Sequence, residues 1–236
     1  MNFEKFMFNQ KIESQPTIKL HIEKDFEDFI PEEFKNNPVE YFEQKGNNLK
    51  HGEIKKDELG KIKEDPTAVK ALPRWTNKEG KQLEVVGKKV NVEKGKVGES
   101  GDPFYEYKIM KTVKSLNLPT ATPIAKVEQG KEHLIIMEKV PGIGWHEREL
   151  LKLKEKGYSD EDIQKLIKEA EAKMSDLQKK FEEAGIHREW KLKDMIFDID
   201  IPGKKINKIT PVDWERTSVD VDKLNKYREK YAQNIL

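Results

Sequence analysis

The sequence predicts an α+β fold of two lobes, in which a small antiparallel sheet with one helix precedes a reduced, mostly helical lobe. Short β-rich segments punctuated by glycines fill much of residues 52–137. Amphipathic helical patterns dominate from residue 147 onwards. Pro141, Gly142 and Gly144 interrupt the chain between these regions and predict a hinge. The predicted divisions are an N-terminal arm or extension (1–51), a sheet lobe (52–137), a hinge (138–144) and a reduced helical lobe (145–236).

Composition limits the classes of protein to which the chain can belong. Charged residues make up 38% and apolar residues 35% of the 236 residues, so we expect a modest core and much solvated surface. The net charge of +1 lacks the basic excess typical of nucleic-acid binders, and we expect no nucleic-acid partner. The absence of cysteine excludes disulfides, thiolate zinc sites and cysteine nucleophiles. With neither a signal-peptide pattern nor a spanning apolar stretch, we expect a cytoplasmic protein without a membrane partner.

The sheet lobe is predicted element by element from its apolar pattern. Five β-rich segments are expected, at 68–72, 83–86, 90–92, 124–127 and 133–137. A helix between the third and fourth begins with Asp102 as N-cap and Pro103 at the first helical position, and it closes at Asn117. The extension before this lobe is polar and broken by prolines, so it predicts short pieces lying over the body or a partly disordered arm.

The second lobe is predicted to contain three helices and one hairpin. A short helix spans about 147–156, and a long one runs from its cap at Ser159, with Asp162 as capping partner, to Gly185. Two short strands, 195–197 and 206–212, are joined by a Pro-Gly turn. A last helix covers about 222–231. The cleft between two such lobes is a favoured place for a ligand.

The densest group of polar side chains follows the long helix. Asp194 precedes the first strand of the predicted hairpin, and Asp213 follows the second. If the strands pair, the two carboxylates converge, and oxygen ligands of this kind suit Mg²⁺ bound to substrate phosphates. Glu189 lies five residues before Asp194 on the same loop, where it can accept a proton or hold a hydroxyl group.

The pattern His-Arg-Glu-x-Lys-x-x-Asp over 187–194 resembles the catalytic loop of protein kinases and of their small-molecule relatives, such as aminoglycoside and choline kinases and small atypical kinases. Asp213 stands where these enzymes carry a magnesium-binding aspartate. The resemblance implies that Glu189 handles the accepting hydroxyl and that Lys191 offsets charge on the transferred phosphoryl group. It also implies that Asp194 and Asp213 hold Mg²⁺.

Further parts of this family fall in the expected order. Residues 134–142 resemble the hinge strand, which makes Met137 the gatekeeper and assigns adenine contacts to the backbone of Glu138 and Val140. Glu106, early in the predicted helix, matches the glutamate that pairs with the phosphate-binding lysine. That lysine is Lys94 on this reading, with Lys70 as the alternative.

The chain also departs from the family pattern. Glu189 replaces the usual aspartate and Asp194 the usual asparagine, and there is no Gly-x-Gly-x-x-Gly motif. Only 23 residues follow Asp213, too few for a full activation segment and the helices after it. The sequence therefore predicts a compact ATP- and Mg²⁺-dependent phosphotransferase whose acceptor, protein or small molecule, is open. The alternative is a pseudokinase that acts as a nucleotide-binding or protein-interaction module, and nucleotidyl transfer would use the same residues.

Overall fold

The computed structural model describes residues 16–49, 69–90, 101–145 and 147–232. The strands are β1 Ile18–Ile22, β2 Asn47–Asn48, β3 Val69–Ala71, β4 Trp75–Thr76, β5 Gln82–Leu83, β6 Val85–Val90, β7 Pro123–Gln129, β8 Glu132–Glu138, β9 Ile143–Gly144, β10 Ile186–Arg188, β11 Met195–Asp200, β12 Lys205–Pro211 and β13 Thr217–Val219. The α-helices are α1 Glu32–Asn36, α2 Pro38–Lys45, α3 Tyr105–Ser115, α4 Glu147–Glu155, α5 Asp160–Glu183 and α6 Val221–Ala232. Short 3₁₀ helices cover Lys24–Phe29 and Leu192–Asp194.

The largest sheet has six antiparallel strands in the order β1-β7-β8-β6-β3-β2. β7 and β8 form a hairpin, and Gly130 at its turn adopts φ 61°, a left-handed conformation that favours glycine. Three smaller sheets follow the orders β12-β11-β9, β10-β13 and β4-β5. Antiparallel sheets together with six described α-helices confirm the predicted α+β class.

The N-terminal extension takes part in the main sheet. β1 pairs with β7 along its whole length, and β2 pairs with β3. Phe34 and Phe42, from α1 and α2, have no exposed surface and pack in the core on one face of the sheet. The apolar residues of this segment are widely spaced between charges, so its sequence gives little sign of the burial that sheet pairing and helix packing produce.

Helix α3 begins two residues later than the sequence predicts. Asp102 accepts a hydrogen bond from the N–H of Phe104 at 2.8 Å and so forms a turn before the helix, while the helix itself starts at Tyr105. Its buried face carries Ile109, Met110 and Val113 against the sheet. Asn117 follows the helix at φ 55°, which confirms the predicted left-handed closure.

The remaining described chain is built on helix α5. Ser159 and Asp162 form a reciprocal capping box at its start, as predicted. β11 and β12 pair as an antiparallel hairpin, and their apolar side chains pack with those of α5 in a separate core. Gly185, at φ 73°, ends the helix and leads into β10. Among the described helices, none combines the length and the apolar character needed to cross a membrane.

Candidate active site

The site begins with a buried lysine in the middle of the main sheet. Lys88 lies in β6 directly after Gly87, and only 6% of its surface is exposed. A side chain at Gly87 would meet the ring of Phe42 at 2.7 Å, so the glycine is required by the close packing of α2 on this face. Because side chains alternate along a strand, Lys88 points to the opposite face, towards α3.

Three carboxylates surround the Lys88 ammonium group. Its Nζ lies 2.6 Å from Glu106 Oε2, 2.9 Å from Glu215 Oε1 and 3.4 Å from Asp213 Oδ1. Burial alone lowers the pKa of Lys88, but attraction to these three acids outweighs it and raises the pKa far above its usual value. The lysine is therefore charged throughout the neutral pH range, and it neutralises an otherwise repulsive cluster of acids.

Glu106 connects helix α3 to the segment that carries Asp213. One carboxylate oxygen of Glu106 accepts from Lys88, and the other accepts the backbone N–H of Trp214 at 3.1 Å. The first residue of the same helix provides a second link, because the hydroxyl group of Tyr105 donates to the carbonyl of Thr217 at 2.6 Å. These hydrogen bonds fix the position of residues 213–217 relative to α3.

The β11–β12 hairpin brings Asp194 and Asp213 together, as the sequence predicts for a paired hairpin. The N–H of Val212 donates to the carbonyl of Asp194 at 2.9 Å, and both acids line one cavity. Burial raises the pKa of Asp194, and the negative charge of Asp213 raises it further. Asp213 has φ 67°, a left-handed conformation that costs energy in a residue other than glycine, and such strain is typical of functional sites.

Arg188, at the end of β10, supports this arrangement from behind. Its Nη2 donates to the carbonyl of Val212 at 3.1 Å, and its guanidinium group lies 4.6 Å from the ring centroid of Trp214. Burial lowers the pKa of Arg188, while the nearby Asp194, Asp213 and Glu106 act in the opposite direction. Arg188 thus places positive charge behind the two aspartates and fixes the backbone next to Asp213.

A polar cavity of about 190 Å³ opens in front of the two aspartates. We call its outer edge the rim, which consists of Glu189, Lys191, Lys193 and Arg216. Lys191 Nζ lies 2.5 Å from Glu189 Oε1, and Arg216 Nη1 lies 3.7 Å from Glu189 Oε2. The hydrogen bond from Lys191 lowers the pKa of Glu189, so this carboxylate is ionised at neutral pH. The inner wall of the cavity is formed by Arg188, Asp194, Asp213 and Glu215.

The predicted adenine-binding residues lie at the end of β8. Met137 pairs with Val86 in the neighbouring strand, so it shares a sheet face with Lys88, two residues further along β6. The N–H of Glu138 donates to the carbonyl of Thr122 at 2.8 Å. An adenine contact from Glu138 would therefore use its carbonyl oxygen, and the contact predicted for Val140 stays a prediction.

The pairing with Glu106 that the sequence analysis assigned to Lys94 is made by Lys88. Lys94 lies outside the described residues. Lys70, the alternative, pairs with Glu43 Oε2 at 2.5 Å and lies opposite Gly87 in the sheet, which puts it on the other face from Lys88. Sequence reasoning missed Lys88 because it treated Gly87 as a break between two strands. The alternation of β6 through that glycine was the available signal.

Glu215 and Arg188 are two further residues to which the sequence analysis gave no role. Glu215 contributes to the cluster around Lys88, and its position two residues after Asp213 was the only hint of it. Arg188 acts through its contacts with Val212 and Trp214, which are more than twenty residues away in the sequence. Contacts of this range follow from the pairing of β10 with β13 and cannot be deduced from a local pattern.

A divalent cation fits between Asp194 and Asp213 better than it fits the cluster of Glu106, Asp213 and Glu215. Ligand atoms of Glu106, Asp213 and Glu215 all lie within 4.8 Å of one another, but Lys88 already occupies the space among them. Asp194 and Asp213 both face the open cavity. Their negative charges repel each other, and a hard cation bound between their carboxylate oxygens would relieve that repulsion. The residues present therefore fit Mg²⁺ at this pair.

Comparison with known proteins gives little that bears on this site. No family model matches the chain, and no curated protein matches it. Among solved structures, the chain is similar to WaaP in complex with acyl carrier protein, at 14% sequence identity and a TM-score of 0.44 over 90% of this chain and 77% of that chain. A likeness this distant carries no functional argument, so the functional proposal rests on the contacts of the site itself.

Proposed function

We propose that the chain is a compact, two-lobed, kinase-like phosphotransferase that uses ATP and Mg²⁺. The observation that carries the proposal is the buried pair of Lys88 and Glu106, which lies directly against Asp213. A buried, fully charged lysine beside an open cavity with two aspartates suits a polyphosphate ligand better than a purely structural role. The notable feature is that one carboxylate, Glu106, holds both the lysine and the backbone next to the metal-binding acid.

Each group of the site has a role in this reaction. Lys88 would bind the ATP phosphates, and the end of β8 around Met137 would hold the adenine. Asp194 and Asp213 would hold Mg²⁺, which supplies neutralisation of the negative charge on the phosphates when it is bound. Lys191, on the rim, would neutralise charge on the phosphoryl group as it moves.

The transfer step needs little covalent chemistry from the protein. The acceptor hydroxyl oxygen forms a bond to the γ-phosphorus as the bond from that phosphorus to the β–γ bridging oxygen breaks, and ADP leaves with the electron pair. Glu189 has a lowered pKa and is a weak base, so it would chiefly accept a hydrogen bond and orient the hydroxyl group. The hydroxyl proton then leaves through Glu189 or directly to water.

Thermal unfolding with and without Mg²⁺-ATP tests the proposed binding. At 100 times its Kd the ligand should stabilise the natural chain by about 2.7 kcal/mol. Asp213→Asn is the sharpest variant, because asparagine tolerates the left-handed conformation of this position while it removes the charge. Lys208→Ala, an exposed position on β12, is the control. Equal stabilisation of the natural chain and of Asp213→Asn would contradict the metal role.

The catalytic role of Glu189 has its own test. Glu189→Gln should reduce phosphoryl transfer by about 10²-fold or more and leave Mg²⁺-ATP binding nearly unchanged, since the side chain is on the rim and away from Lys88. Transfer would be followed with γ-labelled ATP and candidate acceptors. Turnover equal to that of the natural chain would refute this role.

A nucleotide-binding pseudokinase is the second candidate, and one observation favours it. Lys88 is bound by Glu215 as well as by Glu106 and Asp213, so a phosphate must compete with two further carboxylates for the lysine. On this alternative, Mg²⁺-ATP stabilises the chain but no phosphate reaches any acceptor, including water. Detection of labelled product with any acceptor would exclude it.

A further inference from the structure

The charges of the cavity are divided between its inner wall and its rim. The rim carries three cationic side chains, Lys191, Lys193 and Arg216, and one carboxylate, Glu189, which gives it a formal charge of +2. The inner side is acidic, because Asp194 and Asp213 face the cavity there. A cation therefore suits the inner side, and an anion suits the rim.

Two of the rim cations are available to a ligand. Lys193 is exposed and, within the described chain, makes no ion pair or side-chain hydrogen bond. Arg216 has 83% of its side chain exposed, and its ion pair with Glu189, the one it makes among the described residues, is long at 3.7 Å. Both side chains contribute to the lowered pKa of Glu189, so both lie within electrostatic reach of the group proposed to orient the acceptor hydroxyl.

The chain segment after Asp213 leaves the rim uncovered. β13 begins at Thr217, four residues after Asp213, and pairs at once with β10. This short connection provides no polypeptide platform over the cavity on which an extended peptide could lie. The cavity volume of about 190 Å³ is also small, below the range of about 300–1,000 Å³ that is usual for drug-sized ligands. Its size fits a transferred phosphoryl group together with a small acceptor.

We propose that the acceptor is a small hydroxyl compound that bears a phosphate group, and that Lys193 and Arg216 bind this phosphate. This inference rests on the proposed function and names its substrate class. Both cations line the same cavity, Lys193 from the 3₁₀ helix Leu192–Asp194 and Arg216 from the turn just before β13, so one phosphate in the cavity would contact both. A phosphate held there lies beside Glu189, which positions a hydroxyl group of the same molecule for transfer.

Calorimetric titration of the protein saturated with Mg²⁺ and a non-hydrolysable ATP analogue tests the inference. Saturation blocks the nucleotide phosphate sites, and the probes are glycerol 3-phosphate, glycerate and glycerol, a matched set of phosphate, carboxylate and neutral hydroxyl compounds. Glycerol 3-phosphate should bind measurably and more tightly than the other two. Lys193→Ala and Arg216→Ala should each weaken it about tenfold, which corresponds to about 1.4 kcal/mol. Lys208→Ala, on β12, should leave it unchanged.

The outcomes separate this inference from the proposed function. Binding of the ATP analogue without binding of glycerol 3-phosphate overturns the inference and leaves the proposed function standing. Equal binding by the natural chain and both rim variants also overturns it, as does glycerate or glycerol binding as tightly as the phosphate. Failure of the ATP analogue to bind with Mg²⁺ contradicts the proposed function, and the inference falls with it.

Discussion

Replacing Lys88 with methionine should show how much of the stability of the fold depends on one ammonium group that neutralises the acids of the site. The methionine keeps most of the length of the side chain but removes the charge that contacts Glu106, Asp213 and Glu215. Glu106 is buried, so its charge cannot be solvated where it lies. The three carboxylates would face one another without a neutralising partner.

The expected loss follows from the geometry. The ligand atoms of the three acids lie within 4.8 Å of one another, and two unit charges at that distance repel by about 3.5 kcal/mol at an effective dielectric constant of about 20. Protonation and outward rotation of the more exposed acids will relieve part of this repulsion. Removal of one partner from a buried ion pair typically costs about 3–5 kcal/mol, and we expect Lys88→Met to lose stability in that range at pH 8.

The loss should depend on pH in a defined direction. In the natural chain the pKa of Lys88 is raised, so its stabilisation is present throughout the neutral range and is lost only in strong alkali. In the variant, protonation relieves the crowded carboxylates, so the folded state binds more protons than the unfolded chain. Its stability therefore falls as the pH rises, and the loss at pH 5 should be smaller than the loss at pH 8.

Urea denaturation at both pH values, with a chelator present, measures these changes. Lys89→Met is the matched control, because this neighbouring lysine also pairs with two acids, Glu43 and Glu132, but its side chain and both acids are more exposed than Lys88 and Glu106. It should lose less than about 1 kcal/mol. An equal loss in the two variants, or a Lys88→Met loss that does not change between pH 5 and pH 8, would refute the account of the cluster.

Two other predictions concern single positions. Asp194→Asn should raise the free energy of unfolding by about 0.5 kcal/mol at pH 7.5 with a chelator, because burial and Asp213 raise the pKa of Asp194 and its charge there is destabilising; a decrease in urea denaturation would contradict this. Gly185→Ala should cost about 2–3 kcal/mol by the same assay, since the new Cβ would lie 2.6 Å from the Asp220 carbonyl oxygen at φ 73°. Gly157→Ala, at φ 87° in open space, should cost about 1 kcal/mol.

The parts of the fold that depend on local pattern could be predicted from the sequence. The capping residues Ser159 and Asp162 mark the start of α5 because a capping box uses only neighbouring groups. The hairpin that brings Asp194 and Asp213 together was likewise visible, since two apolar runs with a Pro-Gly turn between them have few other arrangements. The position of these two acids next to each other could therefore be predicted from the sequence.

The parts that depend on distant contacts could not be predicted. Lys88 resembles any other lysine of a charged sequence until Phe42, from a segment more than forty residues earlier, packs on Gly87 and lets β6 run through the glycine. The sheet then determines which face each side chain takes. In the same way, the place of the extension in the sheet depends on the pairing of β1 with β7, which are more than one hundred residues apart in the sequence.

The hydrogen bond from the Trp214 amide to Glu106 gives the molecule a built-in reporter of local opening. This amide proton is held by a side chain from a different element and not by a neighbouring strand, so it exchanges with solvent deuterium only when α3 and residues 213–217 separate. Its exchange rate therefore reports the free energy of the opening that separates them. Comparison with amides in the middle of β8 would distinguish this opening from unfolding of the whole sheet.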